Sequence, residues 1–234
     1  MSKRIITHLS NADVVMAAVI KAAGAYKHKA DLNGTPFQAL ARAIAHQQLN
    51  GTAANTILTR FINTVGEGAF PTPARVLAAP VATLRAAGFS FAKIASLKDL
   101  AAKAIEGVVP DHATLDELED PVIIERLTQV RGIGRWTVEM MLMYQLGRRD
   151  VLPVDDFGVR NGFRLAYGLR KMPSPKALAA FGARWAPHRS AAAWYLWRAC
   201  ELHRAGTLPV PQEKTRLPRI RKPKKRARKT KRQK

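Results

Sequence analysis

The chain has 234 residues, 47% of them hydrophobic and 24% charged, which is the composition of a globular protein long enough to bury a full core. Its formal net charge is +22; residues 213–234 hold 13 Lys/Arg against one Glu, and the remainder still keeps +10. A surplus of that size asks for a polyanionic partner, and without a long apolar run or a basic amphipathic helix it favours nucleic acid over a membrane.

The opening Met1-Ser2-Lys3-Arg4-Ile5-Ile6 carries too few apolar residues for a signal peptide, so an intracellular protein is expected. Ser10-Asn11-Ala12-Asp13 reads as a helix start, with Val14, Val15, Ala18, Val19 and Ile20 following at helical spacing. A loop from Gly24 to Gly34 precedes a second helix opened by Thr35-Pro36, with Phe37, Leu40, Ala41 and Ile44 on one face. That helix ends near His46, and His46-Gln47-Gln48-Leu49-Asn50-Gly51 connects it to a helix over Thr52–Val65. Pro71-Thr72-Pro73 begins a pair of short helices, the second stopped at Gly88, and Ser90–Ile105 continues as a helix. Asp120-Pro121 starts another, and Gly134–Leu146, Asp155–Leu169, Pro175–Phe181 and His188–Ala205 complete the set. The single cysteine, Cys200, rules out a disulfide framework, fits a reducing compartment and falls on an apolar helical pattern, so it reads as core. Pro209, Pro211 and Pro218 lead into a basic tail that cannot bury a core and is expected to be disordered. No strand pairing and no internal repeat is legible. The fold class is all-α.

Chemistry concentrates between Leu127 and Gly162. Gly132-Ile133-Gly134 sits between two helical segments, where glycines permit a positive φ and let the backbone come close to a ligand. The N–H groups of this turn and of the next helix's first turn form an anion site, flanked by Arg131 and Arg135, while Ile133 points inward. Pro153-Val154-Asp155-Asp156 then places two carboxylates in a basic chain, just ahead of a further helix. A phosphate grip followed at fixed distance by an acid points to an enzyme acting on nucleic acid.

These segments resemble the helix-hairpin-helix DNA glycosylases, in particular the DNA-3-methyladenine glycosylase II branch. The resemblance is carried by Gly132-Ile133-Gly134-Arg135-Trp136-Thr137, Leu152-Pro153-Val154-Asp155-Asp156 and Arg160-Asn161-Gly162. His46-Gln47-Gln48-Leu49, Leu84 to Ser90 and Trp194 to Arg198 support it. It implies two helical lobes with a DNA-binding cleft between them. A glycosylase domain over 1–208, with its hairpin at about 121–146, would be followed by the basic tail at 209–234. Double-stranded DNA is the implied partner and a monomer the implied state, in the nucleoid, or the nucleus of a eukaryote. No catalytic cofactor is needed, and one cysteine cannot ligate the four-cysteine cluster that some of these enzymes carry.

The same resemblance assigns Asp156 to catalysis, with Asp155 as runner-up and helix cap. Trp136 stands where lyase-active relatives carry a lysine nucleophile, so hydrolysis by water is implied. Trp136, Tyr144, Trp185 and His188 would line the base pocket, His188 replacing the large aromatic expected in its segment; core packing is the competing role for Trp136. Gln47, Gln48, Leu49 and Asn50 would enter the DNA, Gln48 foremost as the plug, with Phe89 and Ser90 wedging the opposite strand. Arg131 through Arg135 would hold phosphate. The carbonyls of Thr128, Val130 and Ile133 would hold a sodium or potassium ion. Two other readings stay open: a glycosylase of the same fold for deaminated or mismatched bases, and a non-catalytic DNA-binding module.

Overall fold

The computed structural model describes residues 2–31 and 33–209, and among these the secondary structure is helical, with no strand. The tail expected to be disordered lies outside the described residues, apart from Pro209.

Two groups of helices pack around one apolar core. The first contains α1 (Ser2–Ala12), α2 (Val14–Ala23), α11 (Phe157–Ala166), α12 (Pro175–Gly182) and α13 (Arg189–Arg204). The second contains α3 (Pro36–His46), α4 (Gly51–Val65), α5 (Pro73–Ala78), α6 (Val81–Ala87) and α7 (Phe91–Ile105). Between them lie α8 (His112–Asp116), α9 (Asp120–Leu127) and α10 (Arg135–Tyr144), with α10 packed on both α9 and α3.

The capping residues set most of the boundaries. Asp13 caps α2 through the N–H groups of Val15 and Met16, and Thr35 with Gln38 forms a reciprocal capping box at α3. Two elements go beyond the sequence reading. Ser2–Ala12 is helical ahead of the start signal at Asp13, burying Ile5 and Leu9, and His112–Asp116 forms a single turn capped by Asp111. The second is too short for its periodicity to stand out, and the first carries no capping side chain among the described residues to mark its start.

Two close approaches fix what stands beside the acidic doublet. A Cβ on Gly162 would lie 1.9 Å from the Leu196 carbonyl oxygen, so α11 and α13 cross at backbone contact there. The crossing brings Trp197 of α13 against Gly158 of α11, where an added Cβ would meet the indole Cδ1 at 2.7 Å.

Candidate active site

The hairpin turn is held from two sides. Gly132 takes a φ of +77°, and a Cβ there would also come 2.6 Å from the buried Ser96 Oγ, so this position needs glycine twice over. Gly134 is different: its φ is −94° and the space over it is open, leaving the backbone accessible. Asp99 of α7 accepts the Arg131 N–H at 2.7 Å, and the Val130 carbonyl accepts the Ile133 N–H at 3.0 Å. Burial pushes the Asp99 carboxyl up, but the Arg131 N–H and the Lys103 ammonium outweigh it and hold it below its ordinary range. Two of the turn amides expected to face an anion are therefore already paired. The outward donors are those at the start of α10, whose cap, Gly134, supplies no side-chain acceptor. Ile133 is buried, as its apolar character requires.

The loop after α3 leans on this turn. Gln47 Nε2 donates to the Gly132 carbonyl at 2.9 Å, which ties Gln47 down, and Asn50 is spent capping α4 through the Ala53 N–H at 2.9 Å. Gln48, at φ +57°, holds a left-handed backbone conformation that costs a non-glycine residue free energy, and its side chain is exposed. Leu49 beside it is exposed as well. Lys93 Nζ donates to the Ala45 carbonyl at 2.8 Å, which ties this loop to the start of α7.

There the structure corrects the expected wedge. Phe89 is fully buried, its ring edge-on to Phe61 at 5.4 Å, and Ser90 caps α7. Phe91, two residues on, is 68% exposed with the Arg85 guanidinium 4.6 Å from its ring centroid. Arg85 also donates to the Phe89 carbonyl at 2.7 Å, which fixes the turn.

Asp156 lies where three N–H groups converge. Val159 N–H and Trp197 Nε1–H donate to Oδ1 at 2.7 and 2.9 Å, and Trp136 Nε1–H donates to Oδ2 at 2.8 Å. The first of these makes Asp156 the cap of α11 and overturns the assignment of that role to Asp155, which is exposed on the preceding turn. The carboxylate takes all three donors because its two oxygens offer several acceptor sites. Trp197, not among the residues expected at the site, belongs to it. The signal in the sequence was Gly162, which permits the crossing that delivers it.

Trp136 and Tyr144 line a cavity of about 820 Å³ between α3 and α10, together with Gln38, Arg42, Met140 and Met141. Two other residues expected here are elsewhere. Trp185 is fully buried in an aromatic cluster with Phe163 and Phe181, at centroid distances of 6.1 and 5.7 Å. His188 packs edge-on to His8 at 5.1 Å and borders a separate cavity of about 200 Å³ with Ile5, Tyr26 and Arg149. A bulky aromatic and a half-buried imidazole signal burial as readily as a pocket.

The hairpin turn opening α10, the carboxylate bonded to Trp136 just beyond it and the aromatic cavity that Trp136 lines are features expected of a class of DNA-processing proteins. The chain belongs to the HhH-GPD superfamily of base excision DNA repair proteins, whose family model matches residues 41–188. It is 42% identical to DNA-3-methyladenine glycosylase 1 of Schizosaccharomyces pombe over 196 residues, covering 83% of this chain and 86% of that protein. It is 31% identical to the alkylbase DNA glycosidase-like protein mag2 of the same yeast, over 87% of this chain and 96% of the relative. Among solved structures it is similar to S. pombe 3-methyladenine DNA glycosylase (Mag1) in complex with abasic DNA, with a TM-score of 0.76 and 41% identity over 85% of this chain and 97% of that one. A DNA-3-methyladenine glycosidase from Bacillus halodurans gives a TM-score of 0.78 at 33% identity, over 86% of this chain and 91% of that one.

Proposed function

We propose that this chain is a monofunctional DNA glycosylase that flips alkylated bases of the 3-methyladenine type out of duplex DNA and hydrolyses their N-glycosidic bond, the first step of base excision repair. The relatives named above support the substrate class. One observation carries the chemistry: the Asp156 carboxylate, held by three N–H donors, stands beside a cleft walled by Trp136 and Tyr144.

As the bond to the base breaks, positive charge develops on the sugar, and a fixed carboxylate stabilises it without having to reorganise. Oδ2 carries one indole donor and keeps acceptor capacity for an attacking water. A base made cationic by alkylation is already a good leaving group and is drawn to aromatic faces, so the pocket supplies stacking rather than an acid. Indole has no amine to form a Schiff base, so water is the nucleophile at Trp136's position.

The DNA is gripped by the amides opening α10 with Arg131 and Arg135. Gln48 fills the gap left by the flipped nucleotide, Leu49 lies beside it, and Phe91 takes the wedge role in place of Phe89. The carbonyls of Thr128, Val130 and Ile133 offer the hard oxygen donors that suit a monovalent ion, which would stiffen the turn and place positive charge near a phosphate. Among the described residues no helix is long and apolar enough to cross a membrane, and no cluster of His, Cys, Asp and Glu offers a metal site. A DNA substrate places the protein with the nucleoid, or in the nucleus of a eukaryote. The test is release of free base from methylated duplex DNA. Excision of 3-methyladenine is expected, and a wild-type protein that binds this DNA without releasing base overturns the proposal.

A further inference from the structure

Glu139, in the middle of α10, is 2% exposed, and its only hydrogen-bond partner among the described residues is the Arg135 guanidinium, Nε to Oε1 at 2.8 Å. Its second oxygen, Oε2, is buried without a partner. Asp155 and Asp156 add electrostatic repulsion. As a contribution to stability this arrangement is poor. The Arg135 side chain is 61% exposed, so half of the pair sits in water, while the other half bears the desolvation cost of a carboxylate. An apolar side chain of similar length would serve the core at least as well.

What the pair does accomplish is orientation. Arg135 is the first residue of α10 and stands beside the uncapped amides that face an anion. Glu139 engages it through Nε, which leaves the two terminal nitrogens and their four N–H donors without a protein partner among the described residues, on a side chain that is mostly exposed. A free arginine loses much rotamer entropy when it takes a phosphate, and one already tethered loses less.

We infer that Glu139 is a positioning residue for DNA binding: it holds the Arg135 guanidinium so that its terminal edge meets a phosphate of the bound DNA. This rests on the reading of Arg135 as a phosphate contact given above, and goes beyond it by assigning the buried carboxylate that aims it.

The sign of one substitution decides. If Glu139 mattered to DNA only through its negative charge, removing it would tighten binding. Positioning requires the reverse for Glu139→Met, which removes the acceptor, and near-wild-type binding for Glu139→Gln, which keeps an oxygen at Oε1. Dissociation constants for duplex containing a stable abasic analogue are to be measured between about 50 and 200 mM salt. Arg135→Ala should weaken binding about tenfold and lower the salt slope by about one. Glu139→Met should weaken it about threefold or more, Glu139→Gln less than about twofold, and the Arg135→Ala/Glu139→Met pair no further than Arg135→Ala alone. Binding by Glu139→Met equal to or tighter than that of Glu139→Gln, or additive losses in the double variant, overturns the inference. If Arg135→Ala itself binds as wild type, the phosphate contact falls and this inference with it; a weakened Arg135→Ala beside an unaffected Glu139→Met removes the inference alone. Thermal unfolding of each variant separates loss of fold, which lowers the active fraction at every salt concentration, from loss of aim, which changes the slope.

Discussion

Trp136 donates its indole N–H to the Asp156 carboxylate at 2.8 Å, joining the first turn of α10 to the cap of α11 across twenty residues of chain. The bond links cleft to acid: one end of the indole is half-exposed in the pocket wall, the other fixes Oδ2. Trp197 holds Oδ1 from the opposite side at 2.9 Å, so the carboxylate is oriented from two helices as well as by its own cap.

Because Asp156 both caps α11 and holds Trp136 of the cleft wall, an alanine would confuse stability with chemistry, at about 1 kcal/mol for the cap alone. Asp156→Asn keeps an oxygen for the Val159 N–H and removes the charge. Single-turnover excision should fall by about a hundredfold or more while affinity for abasic-analogue DNA stays within a few-fold. Asp155→Asn, on an exposed turn outside the cap, should cut the rate by less than about threefold. If instead Asp155→Asn abolishes excision and Asp156→Asn does not, the roles exchange.

Trp197 offers a finer test, since it touches the acid from α13. Trp197→Phe keeps an aromatic ring against Gly158 and deletes the N–H to Oδ1. Loss of one donor to a charged oxygen is worth about 1.5–3 kcal/mol, so the maximal rate should drop about tenfold or more with affinity nearly unchanged. Unchanged kcat with a raised KM would show that the ring serves binding and that its N–H is dispensable.

The site was legible where backbone chemistry leaves a mark on residue type, and obscure where burial alone decides. Gly132 announced its turn, Thr35 and Ser90 announced their helices, and the doublet announced a carboxylate ahead of α11, whereas Asn50, read as a DNA contact, turned out to cap α4. Which member of the doublet caps α11 was a matter of one residue's register, and both aspartates satisfy the same rule. Trp185 and Trp197 share a residue type, yet one lies in the core beside Phe181 and the other on Asp156. Only the Gly162 crossing distinguishes them, and that contact joins residues far apart in sequence. Phe89 and Phe91 posed the same difficulty at a spacing of two residues.

Those two phenylalanines make opposite predictions. Phe91→Ala removes an exposed ring over which Arg85 lies, so thermal stability should change by less than about 1 kcal/mol while flipping, followed by the fluorescence of a base analogue opposite the lesion, weakens several-fold. Phe89→Ala opens a cavity beside Phe61 and should cost about 3–5 kcal/mol. A stable Phe89→Ala protein with a flipping defect, alongside a normal Phe91→Ala protein, would return the wedge to Phe89.

The Glu139 carboxyl also has a signature in acid. Burial raises its pKa above the ordinary value of 4.5 and the nearby Asp155 and Asp156 add to the shift, against the opposing pull of Arg135. The folded protein thus takes up this proton at a higher pH than the unfolded chain, so the group's contribution to stability is present in full below the unfolded value and is lost as pH rises through the folded one. Glu139→Gln carries no such dependence. Acids held below their ordinary range, Asp99 and Asp150 among them, work in the opposite direction, but both proteins contain them and their effect cancels in the difference. Urea unfolding of wild type and Glu139→Gln between about pH 7.5 and pH 5 should show the variant gaining least, relative to wild type, at the acid end. A stability difference that stays flat across that range would mean that Glu139 keeps an ordinary carboxylate pKa despite its burial.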